Sequence, residues 1–470
     1  MLRIFVFGLT SALGFVSIAS AEVPCNIILL LADDLGWTGP ACCGSDLHQT
    51  PNIDKLASDG IKFTDAYSAC TVCSPTRASI MTGKYPARLH LTDFIAGQNR
   101  PFAKLKIPDW NKQLDLDEYT IAEALHDGGY ATAHVGKWHL SPRGEDAKQF
   151  DPRAQGFDVS ISKPPGTRGY FLPDRLRGES KNTYLTDYLT DKTVKIIDGW
   201  KDRPFFLYLA YHTPHTPIQA KKDLVEKYSG QVQEDLTHQN ATYAAMVHSL
   251  DESVGRIVAA VAKAEITSQT IILFTSDNGG LTQRYGKPTG FISNAPLRRG
   301  KGSAYEGGVR VPWIVKWPDR INPGSTCNEP ICTIDCYPTF LELAGLRRLL
   351  KDDTKFDGES IVSILKNPDV VQRGFFEREL YWHYPHYHAG GDGPYGAIRS
   401  GRWRLIESYE EMSVELYDLD RDLGESNNLA EKMPEKAKEL RTKLHAWRKN
   451  IGAQMPSVNP NFNKDKAKRT

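Results

Sequence analysis

The sequence has no excess of charge of either sign. Its 470 residues include 58 Lys and Arg against 57 Asp and Glu, which gives a formal net charge of +1. A protein that binds nucleic acid or an anionic membrane through its overall field needs a clear surplus of one sign. The chain therefore gives no indication of a nucleic-acid partner, and an anionic substrate would have to be attracted by local charges.

Long apolar runs are absent beyond the amino terminus. Residues 4–18 are mostly apolar, follow Arg3 and precede three small residues at positions 19–21. This run is too short for a lasting transmembrane helix, and the pattern is typical of a secretory signal. We expect a cleaved signal peptide over 1–21, a periplasmic or secreted protein, and no membrane span in the mature chain. An uncleaved anchor is the alternative.

Short apolar runs alternate with helical patterns along the first three quarters of the chain. Residues 26–32, 130–135, 205–211 and 270–275 are each predicted to form a buried strand. The longest predicted helix spans 241–263 and has one apolar face. Strands that alternate with helices predict an α/β fold, in which a large, mixed, mostly parallel sheet is covered by helices on both faces.

Polar residues follow each of these four strands. In chain order they are Asp33 and Asp34, Lys137, His212 and His215, and Asp277 and Asn278. Open α/β sheets bind their ligands at the carboxyl ends of the strands. The sequence therefore predicts a functional site at this edge of the sheet.

The pattern changes after about residue 345. Short alternating segments and a final helix predict a small antiparallel sheet with one helix. The segments lie at 380–382, 395–398, 403–406 and 414–417, and the helix at 434–447. We expect a catalytic α/β domain over 22–345, a small C-terminal α+β subdomain over 346–455, and a disordered polar tail over 456–470.

Four of the polar residues at the strand ends offer hard oxygen ligands. They are Asp33, Asp34, Asp277 and Asn278. An all-oxygen set favours Ca²⁺ or Mg²⁺ over zinc. The same residue types also form turns, so a purely structural role is the alternative.

Cys73 lies where a helix is expected to begin. Pro75 suits the first turn of a helix that ends at Gly83. The dipole of that helix favours an anion near Cys73, and Arg77 lies one turn further along the same face. A buried structural cysteine is the plainer alternative for this pattern taken alone.

The residues around Cys73 resemble a known family signature. Residues 72–77 read Val-Cys-Ser-Pro-Thr-Arg and are followed by Met-Thr-Gly at 81–83. This stretch resembles the signature of formylglycine-dependent, arylsulfatase-like sulfatases, in which the cysteine is oxidised to formylglycine. Residues 129–139, 214–217 and 300–308 resemble further motifs of the same family, in the family's order. The resemblance implies an alkaline-phosphatase-like fold and a sulfuric ester hydrolase.

The resemblance also implies roles for individual residues. It implies one Ca²⁺, bound by Asp33, Asp34, Asp277, Asn278 and position 73 as formylglycine. The pocket would be lined by Arg77, Lys137, His139, His215 and Lys301. His215 is favoured over His212 because it lies in the family-like Pro-His-Thr-Pro stretch. The three carboxylates, the ion and the three cationic side chains leave a local excess of two positive charges, which suits a sulfate ester.

In the implied mechanism the hydrated aldehyde attacks sulfur. His215 or Lys301 would protonate the leaving alcohol, and His139 would take a proton as sulfate is expelled. A maturation enzyme that generates formylglycine is the implied protein partner. Two alternatives stay open: a phosphate mono- or diesterase of the same fold, and a non-catalytic sulfated-glycan-binding protein in which Cys73 is never oxidised.

A polar, aromatic run at 383–393 is the candidate substrate contact. His386, Tyr387, His388 and Asp392 combine flat apolar faces with hydrogen-bonding groups, which suits a sugar ring. We therefore expect a carbohydrate sulfate, of galactose or N-acetylgalactosamine type, as the substrate. A solvated structural loop is the alternative for this run.

Overall fold

A computed structural model describes most of the chain. The described residues are 25–174, 176, 178–347, 355–368, 375 and 377–467. The predicted signal peptide at 1–21 lies outside them. Among the helices in these ranges, none is both long enough and apolar enough to cross a membrane.

The strands and helices follow one another along the whole described chain. The strands are β1 (Asn26–Ala32), β2 (Ile61–Phe63), β3 (Ala66–Tyr67), β4 (Leu105–Lys106), β5 (Ala131–Gly136), β6 (Val159–Ile161), β7 (Phe205–Ala210), β8 (Thr270–Ser276), β9 (Gln283–Arg284), β10 (Lys287–Pro288), β11 (Trp313–Lys316), β12 (Ser325–Cys327), β13 (Ile331–Cys332), β14 (Glu379–Tyr384), β15 (Tyr395–Ser400), β16 (Trp403–Ser408), β17 (Val414–Asp418) and β18 (Ser457–Val458). The α-helices are α1 (Pro51–Ser58), α2 (Cys73–Thr82), α3 (Pro86–Leu89), α4 (Ile121–Asp127), α5 (Leu185–Trp200), α6 (Lys222–Ser229), α7 (Ala241–Lys263), α8 (Glu306–Val309), α9 (Cys336–Leu343), α10 (Val362–Lys366), α11 (Pro434–Asn450) and α12 (Lys464–Ala467).

The largest sheet has eight strands in the order β12-β2-β11-β8-β1-β7-β5-β6. The five strands from β8 to β6 run parallel, and β11 runs antiparallel to both of its neighbours. The predicted fold class, a mixed and mostly parallel sheet with helices, is therefore confirmed. The four predicted strands are confirmed to within one residue at each end, and the helix predicted over 241–263 has those bounds.

Helices cover both faces of this sheet, and β1 at its centre is buried on both. Ile27 and Leu29 pack in one core with residues of α2, α4 and α9. Ile28 and Leu30, which point to the other face, pack in a second core with residues of α1, α5 and α7. A strand that is buried on both faces reads as a continuous apolar run, which explains the sequence pattern at 26–32.

The C-terminal part of the chain forms a second, smaller layer. β14 to β17 pair in sequence order as an antiparallel sheet, and α11 packs against it. This confirms the predicted sheet and helix, although the helix continues to Asn450. Residues 361–365 pack in the core of the large sheet, so the small layer begins nearer to Glu379 than to the expected boundary at 346.

The small layer holds the stretch of chain that carries Lys301. Arg404 of β16 is fully buried, and its Nη1 lies 2.9 Å from Oε1 of Glu306 in α8. The same guanidinium donates a hydrogen bond to the carbonyl of Ala304. The hydroxyl of Tyr395 in β15 donates to the carbonyl of Ser303 at 3.1 Å. The small sheet therefore fixes residues 303–306, directly after Lys301, against the large sheet.

The prediction that the polar tail is disordered from residue 456 is wrong for the described residues of the tail. β18 pairs antiparallel with β4, and the side-chain amide of Asn459 donates to the carbonyls of Pro101 and Ala103. Helix α12 follows. These are long-range backbone contacts, and the composition of the tail gives no sign of them.

Candidate active site

Cys73 begins helix α2 at the carboxyl edge of the sheet. Gly83, with a φ of +66°, ends the helix in the left-handed conformation that glycine adopts without strain. Every residue of α2 is buried, and Cys73 is 1% exposed. The thiol thus lies at the positive end of the helix dipole, as the sequence predicts.

Two charged side chains contact the thiol. Lys301 Nζ lies 3.2 Å from Cys73 Sγ, and Asp33 Oδ1 lies 3.6 Å from it. Burial raises the pKa of the Cys73 thiol to about 12, although Lys137 and Lys301 act in the opposite direction. An unmodified Cys73 would therefore stay protonated at neutral pH and be a poor nucleophile.

The four predicted oxygen ligands meet beside Cys73. Ala32 of β1 pairs with Ser276 of β8, so the residues that follow these two strands are neighbours in space. The amide of Asn278 donates to Asp34 Oδ1 at 2.7 Å, and the backbone N–H of Asp34 donates to Asp277 Oδ1 at 3.2 Å. All of these side chains are buried.

Three cations are paired with the three carboxylates. Lys137 Nζ lies 2.6 Å from Asp33 Oδ2, Lys301 Nζ 2.6 Å from Asp34 Oδ1, and Arg77 Nη2 2.7 Å from Asp277 Oδ2. Burial alone would raise the pKa of Asp33, but Lys137 and His215 hold it well below its usual range. Burial together with the negative charge of Asp33 raises the pKa of Asp277 to about 6. The protonation of each of these six charged residues therefore depends on the charges of the others.

The donor set fits a hard divalent cation. Ligand atoms of Asp33, Asp34, Cys73 and His215 all lie within 4.8 Å of one another. In addition, the Oδ1 atom of Asn278 is buried and accepts no hydrogen bond. A buried acceptor left unsatisfied costs about 1–3 kcal/mol, and a bound cation would remove that cost. The clustered carboxylates and this amide oxygen are the ligand types that Ca²⁺ takes.

The hydrogen bonds of His139 and His215 show which ring nitrogen carries the proton in each. His139 Nε2 lies 2.6 Å from the carbonyl of Ile95, so this nitrogen carries the proton, and Nδ1 is buried without a hydrogen-bond partner. His215 Nδ1 lies 2.6 Å from the carbonyl of Thr216, and its Nε2 lies 3.7 Å from Asp34 Oδ2. His212 is half-buried and lies in a neighbouring arm of the cavity. The structure thus places His215 Nε2 beside the carboxylate of Asp34.

Three of the predicted substrate contacts are His386, His388 and Asp392. Of these three, His388 lines the cavity over Cys73. The prediction for His386 is wrong, and the residue has a structural role: its side chain is 1% exposed, and its Nε2 lies 2.8 Å from Thr92 Oγ1. The prediction for Asp392 is wrong as well, because it accepts a hydrogen bond from Ser303 Oγ at 2.9 Å and does not line the cavity. Neither side chain is among the residues that line the cavity over Cys73.

The sequence did not identify several residues that line the cavity. They are Phe94, Gln98, Thr216, Leu281 and Arg284. Tyr387, the remaining predicted contact, donates its hydroxyl to Glu410 and accepts from the backbone N–H of Leu105, so it holds the loop in place. Among the missed residues only Thr216 lies in a stretch with a family-like pattern, and the others carry no sequence signal.

Comparison with known proteins agrees with this geometry. Residues 25–346 match a protein-family model described as Sulfatase, and residues 300–450 match one described as N-sulphoglucosamine sulphohydrolase, C-terminal. The chain is 33% identical to a sulfatase of Formosa agariphila, over 90% of this chain and 88% of that protein. It is 30% identical to the N-acetylgalactosamine-6-sulfatase of Sus scrofa, over 85% and 76% of the two chains. The structure is also similar to the crystal structure of Ps i-CgsB in complex with k-i-k-neocarrahexaose, with a TM-score of 0.73 and 29% identity over 94% and 96% of the chains.

Proposed function

The chain belongs to the sulfatase family and is a sulfuric ester hydrolase, and we propose that it cleaves a carbohydrate sulfate with a formylglycine made from Cys73 and a bound Ca²⁺. The observation that carries the proposal is the position of Cys73. It lies at a helix amino terminus, 3.2 Å from Lys301 Nζ and 3.6 Å from Asp33 Oδ1, beside an amide oxygen of Asn278 that has no partner.

The environment of Cys73 supports a modified nucleophile. Because burial raises the pKa of the thiol to about 12, the unmodified side chain supplies little thiolate. A hydrated aldehyde at the same position would supply one hydroxyl for attack on sulfur and a second hydroxyl, whose deprotonation re-forms the aldehyde as the carbon–oxygen bond to sulfate breaks. This requires a maturation enzyme as partner, and we propose export of the chain by the N-terminal signal.

Four side chains would hold the calcium ion. Asp33, Asp34, Asp277 and Asn278 supply its oxygen ligands, with position 73 alongside. When bound, the ion favours ionisation of a hydroxyl group and attracts the sulfate oxygens.

Lys137, Lys301 and Arg77 place fixed positive charge around the same point. Lys137 and Lys301 lie 2.6 Å from the carboxylates of Asp33 and Asp34, and Arg77 is held by Asp277. Negative charge develops on the leaving oxygen of a sulfate ester as the bond to sulfur breaks. Cations that are already in place stabilise this charge without the cost of reorganisation.

The two histidines suit opposite proton transfers. His139 donates from Nε2 to the carbonyl of Ile95, which leaves Nδ1 as an acceptor. We assign it the removal of a proton from position 73 when sulfate departs. His215 donates from Nδ1 to Thr216, so its Nε2 can protonate a leaving alcohol only when the ring is cationic. Burial lowers the pKa of His215 and so disfavours that cationic form, whereas Asp34 acts in the opposite direction.

His215→Ala should slow the desulfation of a sugar by about 10²–10⁴-fold and nearly spare 4-nitrophenyl sulfate. A general acid contributes by this factor when the leaving alcohol is a poor one, and nitrophenolate leaves without a proton. The measurement is kcat/KM for both esters, with His212→Gln as the matched control. Equal losses on the two substrates would show that His215 acts in binding. If it is Lys301→Ala that slows the sugar ester and spares the aryl ester, Lys301 is the acid.

A carbohydrate sulfate is the proposed substrate class. One relative is an N-acetylgalactosamine-6-sulfatase, and Ps i-CgsB has a crystal structure in complex with k-i-k-neocarrahexaose. Phe94 and His388 line the cavity and offer flat faces of the kind that pack on sugar rings. In a desulfation screen, at least one galactose or N-acetylgalactosamine sulfate should have a higher kcat/KM than 4-nitrophenyl sulfate and steroid sulfates. If every sugar sulfate is poorer than the aryl ester, the substrate class is wrong.

A further inference from the structure

The cavity continues past Cys73 into a second arm. This arm shares Phe94, His139, His215 and Thr216 with the part of the cavity over Cys73. It is then bounded by residues that have no part in the chemistry proposed above, namely Arg143, Lys163, Gly169, Tyr170 and Pro217. A substrate larger than one sugar ring would have to extend from the reacting ester into such an arm.

Two cations of the second arm have no carboxylate partner. Within the described residues, no carboxylate oxygen lies within 4.0 Å of a side-chain nitrogen of Lys163 or Arg143. Lys163 Nζ donates one hydrogen bond, to the carbonyl of Gly169 at 2.8 Å, and an ammonium group has three donors. Lys137, in the same arm, is instead paired with Asp33 at 2.6 Å. Lys163 and Arg143 are therefore free to bind an anion.

The surroundings of Lys163 support the same conclusion. The ammonium group is half-buried, and burial lowers its pKa because no negative charge compensates the cost. It also lies close enough to His212 to lower the pKa of that histidine. A half-buried cation with two unused donors is stabilised when a ligand brings an anionic group.

We propose that the second arm is an anion subsite, in which Lys163 and Arg143 bind a sulfate or carboxylate on the sugar next to the one whose ester is cleaved. The substrate class is then a polyanionic saccharide rather than an isolated monosulfated sugar. This inference rests on the proposed function and adds the recognition of a neighbouring unit. The near-zero net charge of the chain makes such local cations necessary for attraction of a polyanion.

Three synthetic disaccharides test the subsite by calorimetric binding to a Cys73→Ala protein, which cannot turn them over. All contain N-acetylgalactosamine 6-sulfate, and the second ring is a galactose sulfate, a glucuronate or a neutral galactose. Adding Lys163→Gln or Arg143→Gln should weaken binding of the two dianionic compounds about tenfold, the effect of one charge-assisted hydrogen bond. Binding of the neutral-ring compound should change less than twofold.

The control and the two dianions make the outcome decisive. Lys148→Gln, an exposed lysine of the neighbouring turn that does not line the arm, should leave all three dissociation constants unchanged. The dianion with the larger loss identifies sulfate or carboxylate as the preferred group. Equal weakening of all three compounds, no weakening, or no binding of any of them would overturn the subsite. The proposed function would be overturned separately, by failure of the unsubstituted protein to turn over any sulfate ester.

Discussion

Cys73→Ala is expected to lower kcat/KM for 4-nitrophenyl sulfate by at least about 10⁴-fold. Loss of the nucleophile removes the group on which every later step depends, and such losses are among the largest that single substitutions cause. The fold should survive, because the polar contacts of the Sγ atom with described residues are those with Lys301 and Asp33, and the hydroxyl of Thr76 keeps its bonds to the carbonyls of Val72 and Cys70. Thermal unfolding of both proteins verifies this.

Cys70→Ala is the matched control for this substitution. Cys70 is buried three residues earlier and packs in a core with aromatic side chains of the small sheet. It is expected to cost stability but to retain most of the turnover. A Cys73→Ala protein with more than about a hundredth of the normal activity would contradict the assigned nucleophile. Comparison with 4-nitrophenyl phosphate, which should be the poorer substrate, separates the enzyme from a phosphoesterase of the same fold.

Removal of calcium is expected to have the second largest effect, a loss of about 10³-fold that added Ca²⁺ reverses. A metal ion at this point contributes several kcal/mol of charge stabilisation, and a tenfold change in rate corresponds to about 1.4 kcal/mol. Lys137 Nζ and Lys301 Nζ lie 2.6 Å from Asp33 and Asp34, so these two lysines and the ion would share the same carboxylates. Activity is measured after chelation and again after titration with calcium. Full activity of the metal-stripped protein would contradict the metal site.

Asn278 gives the metal site a test that does not depend on turnover. Its Oδ1 atom is buried and has no hydrogen-bond partner among the described residues, so Asn278→Ala removes a proposed ligand and should weaken calcium binding, measured by calorimetry, about tenfold or more. Asn278→Asp keeps an oxygen at that position and should retain binding. Equal affinity in the alanine and aspartate variants would show that the ion binds elsewhere.

The sequence predicts the parts of the site that follow strands or begin helices. Asp33, Asp277 and Cys73 fall in such places, and buried strands and helix starts have strong local patterns. What the sequence does not show is that β1 and β8 are neighbours, although they are far apart along the chain. The family-like motifs supply that long-range information, which is why a ligand set could be predicted while the order of the strands could not.

The predicted sugar contacts agree less well with the structure than the predicted charged residues do, because the candidates lie together in one loop. His386 and His388 are both histidines in one short loop after β14, and composition gives no means of telling which faces the cavity. His386 is buried and contacts Thr92, whereas His388 lines the cavity. Lys163 and Arg143 belong to no motif, so their place in the second arm becomes visible only in three dimensions.

The mass of the tryptic peptide of residues 63–77 tests the central claim most directly. This peptide contains Cys70 and Cys73, and it should be prepared from the same sample whose turnover is measured. The residue at position 73 should be lighter than a cysteine by the mass difference between a CH₂SH and an aldehyde side chain, and it should react with a hydrazide. Position 70 should keep the mass of a cysteine. The modified fraction should rise in proportion to turnover between preparations. A plain thiol at position 73, in protein that hydrolyses sulfate esters at the full rate, would contradict the account.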